Sequence, residues 1–268
     1  MQNGYYQVTG AMVTQFNQLD ITSNNLANVN TPGFKRDSVV IGDFERLYQK
    51  QRDELSLNNH TTKAAKFFNR SLNRVPTIVE EVTDFSAGSI KRTDNKLDFA
   101  LKNRDLFYAI ETPDGVKLTQ QSSFIINSEG LLTTKDGYKV LPKDFQTTDK
   151  NEIKIPIKGD LTADKSGGLY SGSDKLEGLF VGRVKNLKEL KKEGDKFYNL
   201  PDMDNLSQVD KGDNVQQGYI VMSNVNAVKE MTSLIETNRL VEMYQKVMTS
   251  HMDELNRDAI TKLATTRA

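Results

Sequence analysis

The sequence predicts an α+β protein in which N- and C-terminal helices of coiled-coil type flank a central all-β antiparallel domain. Three observations carry that prediction. Apolar residues recur at three- and four-residue steps through the first 27 positions. The same stepping returns from 224 to 264 and is sustained longer there. Between them, from 76 to about 221, short β-prone runs alternate with Asp-Gly and Glu-Gly turn signals. The boundaries read as 1–36 for the N-terminal assembly helix and its turn, 37–75 for a connector, 76–221 for the β domain and 222–268 for the C-terminal helix.

In the first segment Tyr5, Val8, Met12, Leu19 and Leu26 form the stripe, with Gln15 and Thr22 in its gaps and Phe16 widening it. A stop follows at once, in "NNLANVNTPGFKR". The residue before a proline avoids the α region, so Thr31 lies outside the helix. Thr31-Pro32-Gly33-Phe34 fits a β-turn with proline second and glycine third. Asn28 and Asn30 can bond the local backbone on the way out. A β-branched residue at position 33, where positive φ is needed, is expected to block assembly while sparing the β domain.

Residues 37–75 are polar, without clear caps, and read as an extended or partly helical connector. In the β domain "LFYAIET", "SFIINS", "LLTT" and "YKVL" supply strands, and "TPDGV", "NSEGL" and "KDGYK" supply the turns between them. "EIKIPI", "LEGLFVGRV" and "QQGYIVM" read as further strands, and "KNLKELKKEG" as a short helix or a charged loop. In the last segment Ala227, Met231, Leu234, Asn238, Val241, Gln245, Met248, Met252, Leu255 and Ala259 step by four and three. A sustained seven-residue repeat is a left-handed coiled-coil seam. Either Asn224 or Asn226 can cap its start. About 38 helical residues extend roughly 57 Å.

Isolated amphipathic helices are marginal in water, so both stripes need cover. Pairing with each other on the β domain is one source, and neighbouring copies are another. Polar Asn238 and Gln245 at seam positions lean toward assembly, because such residues set register. A head-to-tail contact that does not close gives a filament.

Composition excludes several alternatives. The 36 basic residues balance 36 acidic ones, so no global field favours nucleic acid or an anionic membrane. There is no cysteine, hence no disulfide and no thiolate metal or redox site. No run approaches the ~18 apolar residues of a membrane span, and "MQNGYYQVTGAMV" lacks the regions of a cleaved secretory leader. His60 and His251 have no metal or triad partners at a defined spacing. Asp94 and Asp98 in "TDNKLDFAL" suit a turn better than acid–base work. "SGGLYSGSDK" reads as a loop rather than a phosphate cradle, and "KNLKELKK" as a solvated basic face. No catalytic, cofactor or metal residue is expected.

The end motifs resemble those of the bacterial flagellar rod, hook and hook-associated axial proteins. The N-terminal signature is filled by Asn25, Leu26, Ala27, Asn28, Thr31, Gly33, Phe34 and Lys35, with Pro32 inside it. Ser223-Asn224-Val225-Asn226 leading into the long helix is similar to the family's C-terminal motif. The order "KLDFAL", "TPDG", "FIINSEGLLTTKDGYKVL" also follows the family, with "LTQ" and "DLF" standing where "YTR" and "GFF" are usual. The resemblance implies a structural, non-enzymatic rod subunit without cofactor, assembling helically and transmitting torque from motor to hook, with the proximal rod favoured over the distal. It implies as partners further copies and other rod and hook subunits, and the type III export apparatus, with no nucleic acid and no membrane insertion. It places the protein in the periplasmic rod of the basal body, exported without a cleaved leader. The expected subunit interface is the N-terminal signature together with Asn224, Asn226, Met231, Leu234, Val241, Met248, Met252 and Leu255.

Overall fold

A computed structural model describes residues 2–43, 76–145, 152–156, 161–209 and 212–265. Most of the predicted connector, including His60, lies outside the described residues. The chain folds as two compact units. One comprises Ala27–Arg36 and Thr83–Val225; the other comprises Met1–Leu26, Asp37–Val82 and Asn226–Ala268.

The strand pairs described in the first unit are all antiparallel. Its central strand is β5 (Leu106–Thr112), the "LFYAIET" run, buried along nearly its whole length. A continuous apolar run of this length marks a strand covered on both faces. Leu106, Tyr108 and Ile110 enter one core with Phe99, Phe124 and Leu132. Phe107 and Ala109 point to the opposite core with Leu118, Phe180 and Tyr198. The Tyr108 hydroxyl donates to the Phe99 carbonyl at 2.9 Å, and burial pushes its phenol well above the ordinary range.

All three predicted hairpins are present. β5 pairs with β6 (Gly115–Thr119) across Pro113-Asp114. β7 (Phe124–Ile126) pairs with β8 (Leu132–Thr134) across "NSEGL", and β8 pairs with β9 (Lys139–Val140) across "KDGY". "QQGYIVM" is two strands rather than one. Gly218, at φ +78°, breaks it into β17 (Val215–Gln217) and β18 (Tyr219–Val221), which pair with β4 (Phe99–Leu101) and β3 (Ile90–Arg92) respectively. "KNLKELKKEG" is a single 3₁₀ turn, Leu187–Glu189, followed by strand β14 (Lys191–Glu193).

The second unit holds helix α1 (Gln2–Ala27), helix α2 (Ala227–Thr265), and the strands β1 (Asp37–Asp43) and β2 (Pro76–Thr83), which pair with each other. In both helices the most buried face overlaps the predicted stripe, sharing Thr22 on α1 and Val241 on α2, with other positions one residue earlier. On α1 it is Ala11, Thr14, Thr22 and Asn25; on α2 it is Glu230, Thr237 and Val241, flanked by half-buried Leu234, Tyr244 and Met248. The α2 face keeps the four-three stepping (230, 234, 237, 241, 244, 248) but half of its positions fall one residue earlier than expected.

Hydroxyl chemistry lets threonine take part in the buried faces. Thr14, Thr22 and Thr237 each donate to the carbonyl four residues before them. That bond removes the cost of burying the hydroxyl, so small polar residues occupy the close contact. Thr14 Oγ1 also donates to Pro76 O at 2.9 Å. Met231 and Met252, expected in the seam, are exposed instead.

Candidate functional site

The two end motifs meet three chain segments in one place within the β unit. The turn forms as the sequence predicts: Phe34 N donates to Thr31 O, and Gly33 has φ +78°. Thr31 Oγ1 donates to the Asn28 side chain at 3.0 Å. Gly33 N donates to Val221 O at 2.9 Å, tying the turn to the end of β18. A Cβ on Gly33 would lie 2.5 Å from the Gln120 carbonyl oxygen, so only glycine permits this approach. The expectation that a substitution here spares the β domain is therefore corrected, because Gly33 is seated against that domain's own backbone.

Asn224 closes the node. Its Oδ1 accepts from Arg36 N at 2.8 Å, and its Nδ2 donates to Asp84 O at 2.7 Å and to Ser86 Oγ at 2.9 Å. Asp84 N donates back to Arg36 O. One amide thus links three of the four places where the backbone passes out of or into the β unit. Asn226 takes the capping role. Its Oδ1 accepts from Lys229 N, and its carbonyl accepts from Glu230 N. The sequence offered either asparagine as cap; the structure divides the two tasks.

Phe34 and Lys35 are buried. Lys35 Nζ donates to Ser86 O at 2.8 Å. Burial lowers its pKa to about 8, while the charge of Asp84 acts in the opposite direction. Lys192, from the predicted solvated cluster, donates to Lys35 O at 3.0 Å and stands 4.0 Å over the Phe34 ring. Lys188 and Lys191 are exposed as expected, but Lys192 is part of the node. Nothing in the local sequence pairs it with residues more than 150 positions earlier.

In the helical unit Asn25 is almost fully buried. Its side chain both accepts from Asp37 N and donates to Asp37 O, at 2.9 and 2.8 Å, and reaches Glu230 Oε2 at 3.5 Å. Among the remaining expected interface residues, Val241 is buried; Leu26, Asn28, Thr31, Pro32, Leu234 and Met248 are half-buried; Ala27, Asn226, Met231 and Met252 are exposed. The side chain of Leu255 lies outside the described ones.

The weighed alternatives resolve as architecture. Asp98 is buried, accepting from Thr93 Oγ1 and Asn95 Nδ2 inside a turn. "SGGLYSGSDK" forms the hairpin of β11 (Leu169–Ser171) and β12 (Asp174–Lys175). No group of three or more potential metal ligands occurs among the described residues. No described helix is long and apolar enough to cross a membrane.

Known proteins match at both ends and through the middle. The family model for flagella basal body rod proteins matches residues 6–35, and the model for the C-terminal part of flagellar basal body rod FlgEFG proteins matches 216–261. A flagellar basal-body rod protein FlgG from Agrobacterium fabrum is 33% identical over 247 residues, covering 89% of this chain and 91% of the relative. The chain belongs to the flagellar basal-body rod protein family. This rod protein is a structural subunit of the flagellar basal body, in a family that assembles with other rod and hook components. It is also similar to a rod protein FlgF from Caulobacter vibrioides, 28% identical over 264 residues and 98% of both chains. The hook-basal body complex protein FlhO from Bacillus subtilis is 27% identical over 276 residues, 97% of this chain and 98% of the relative. In the rod protein described here, the two matched segments bond each other directly through Gly33 and Val221.

Proposed function

We propose that this rod subunit assembles helically through its terminal helices, which pack as a coiled coil with those of neighbouring axial subunits, and that it carries torque from motor to hook. The observation behind this reading is that α2 bears apolar side chains on two sides. One side is covered within the subunit at Leu234, Val241 and Met248. The other leaves Val228 75%, Met231 52% and Ile235 57% exposed. At 100° per residue, Val228 and Ile235 lie nearly opposite Glu230, Thr237 and Val241. A long helix apolar on two sides suits a packed assembly better than a free subunit.

In this reading residues 1–36 and 222–268 assemble, 37–75 connects, and 76–221 faces outward. The interface residues divide by role. Met231 and Met252, with Leu234, Met248 and Leu255 beside them, meet neighbours. Asn25, Leu26, Ala27, Asn226 and Val241 support the helices themselves, and Asn28, Thr31, Pro32, Gly33, Phe34, Lys35 and Asn224 fix the turn and its seat on the β unit. Export runs through the type III apparatus to the periplasmic rod. The proximal rod is the favoured position, supported by the end-to-end match with a FlgF protein. A tagged copy located in isolated basal bodies tests this. Label in the proximal rod supports it, label in the distal rod moves the subunit to that segment, and label outside the rod refutes it.

A further inference from the structure

Beside the node is a cleft of about 40 Å³ lined by three cationic residues. Lys35, Lys102 and Arg104 line it, together with Asn103, Gln120 and Gly88, and no Asp or Glu is among its lining residues. Arg104 is exposed at the rim. Lys102 is held by Asp213 at 2.5 Å, which fixes its ammonium. Gln120 is held by the Arg104 and Leu106 carbonyls through its Nε2. Apolar Ile90, Leu101 and Val221 complete the wall, lowering the local dielectric and strengthening any charge interaction there.

We propose that this cleft is a binding site for one carboxylate-sized anion, held between Lys35, Arg104 and Lys102. The size limits the ligand. A water needs about 10–15 Å³ of such space, so the cleft has room for a group of a few heavy atoms, such as a single carboxylate. Electrostatics favours occupancy. Lys35 is buried against a neutral carbonyl, Ser86 O, with Asp84 the one acid whose charge acts on it, and Lys102 and Arg104 line the same cleft. An anion there offsets the cost of keeping that ammonium out of water. The carboxylate has two possible sources, a free small anion or an acidic side chain of another copy. This inference does not depend on the assembly reading.

The test follows the Lys35 ¹³Cε shift across pH 6–11 in the full chain, at constant ionic strength. In dilute protein with chloride alone the midpoint is expected near 8. Saturating acetate is expected to raise it by about one unit, a tenfold preference of the anion for the charged lysine. Arg104→Gln, which alters only the rim, is expected to abolish most of that rise. A rise with acetate in dilute protein assigns a free-anion site. A rise with protein concentration in chloride assigns the carboxylate to another copy. No rise in either arm, or an equal rise in Arg104→Gln, overturns the proposal.

Discussion

Gly33, Lys35 and Asn224 each do something that their residue type alone can do. At Gly33 both the positive φ and the contact with Gln120 forbid a side chain. Gly33→Val is expected to lower the urea midpoint of the β unit, at a cost of about 2 kcal/mol or more; an unchanged midpoint would remove Gly33 from the node. Lys35 makes stability depend on pH. Its folded pKa is about 8 against 10.5 when free, so between those values the unfolded chain binds the extra proton. Stability therefore rises as pH goes from 8 to 10.5, by about 3 kcal/mol, and is flat below 8. Lys35→Met should flatten that rise in urea titrations at several pH values, and a rise of full size in the variant would exclude Lys35 as its source. The turn at 31–34 was legible because Pro and Gly constrain φ locally. The partners of Asn224 and Lys192 were not, because they are set by contacts across 140 and more positions, which no local spacing encodes.

Strands and helices differ in how openly their patterns announce them. β5 was legible in full because a strand covered on both faces is an unbroken apolar run. The three hairpins were legible through their turn glycines. Gly218 was missed as a break because a single glycine within a β-prone run leaves the pattern intact. On the helices the period was legible but the facing was displaced, since threonine reads as polar in a sequence yet buries well once its hydroxyl meets a carbonyl one turn back. The cap of α2 can be checked separately. Asn226→Ala is expected to destabilise the first turn by about 1 kcal/mol, seen as faster amide exchange at Lys229 and Glu230. Asn224→Ala is expected instead to speed exchange at Arg36. The reverse pattern would contradict the division of roles between the two asparagines.

At the scale of the whole molecule, Thr14, Thr22 and Thr237 lie on the covered faces of the helices, while Val228, Met231 and Ile235 remain exposed. In the proposed assembly, other subunits cover those side chains. In dilute solution the ends are expected to be cut by protease well before the β unit; equal protection would argue that the helices need no neighbour. The chain has no cysteine, so a single introduced thiol is unique. The most direct measurement is maleimide labelling of Ile235→Cys in the free chain and in isolated basal bodies, with Lys175→Cys on the exposed β12 strand as control. The account predicts fast labelling at 235 in the free chain, protection of at least tenfold in the rod, and a control that stays reactive in both. A thiol at 235 that labels equally fast in assembled rods would contradict it.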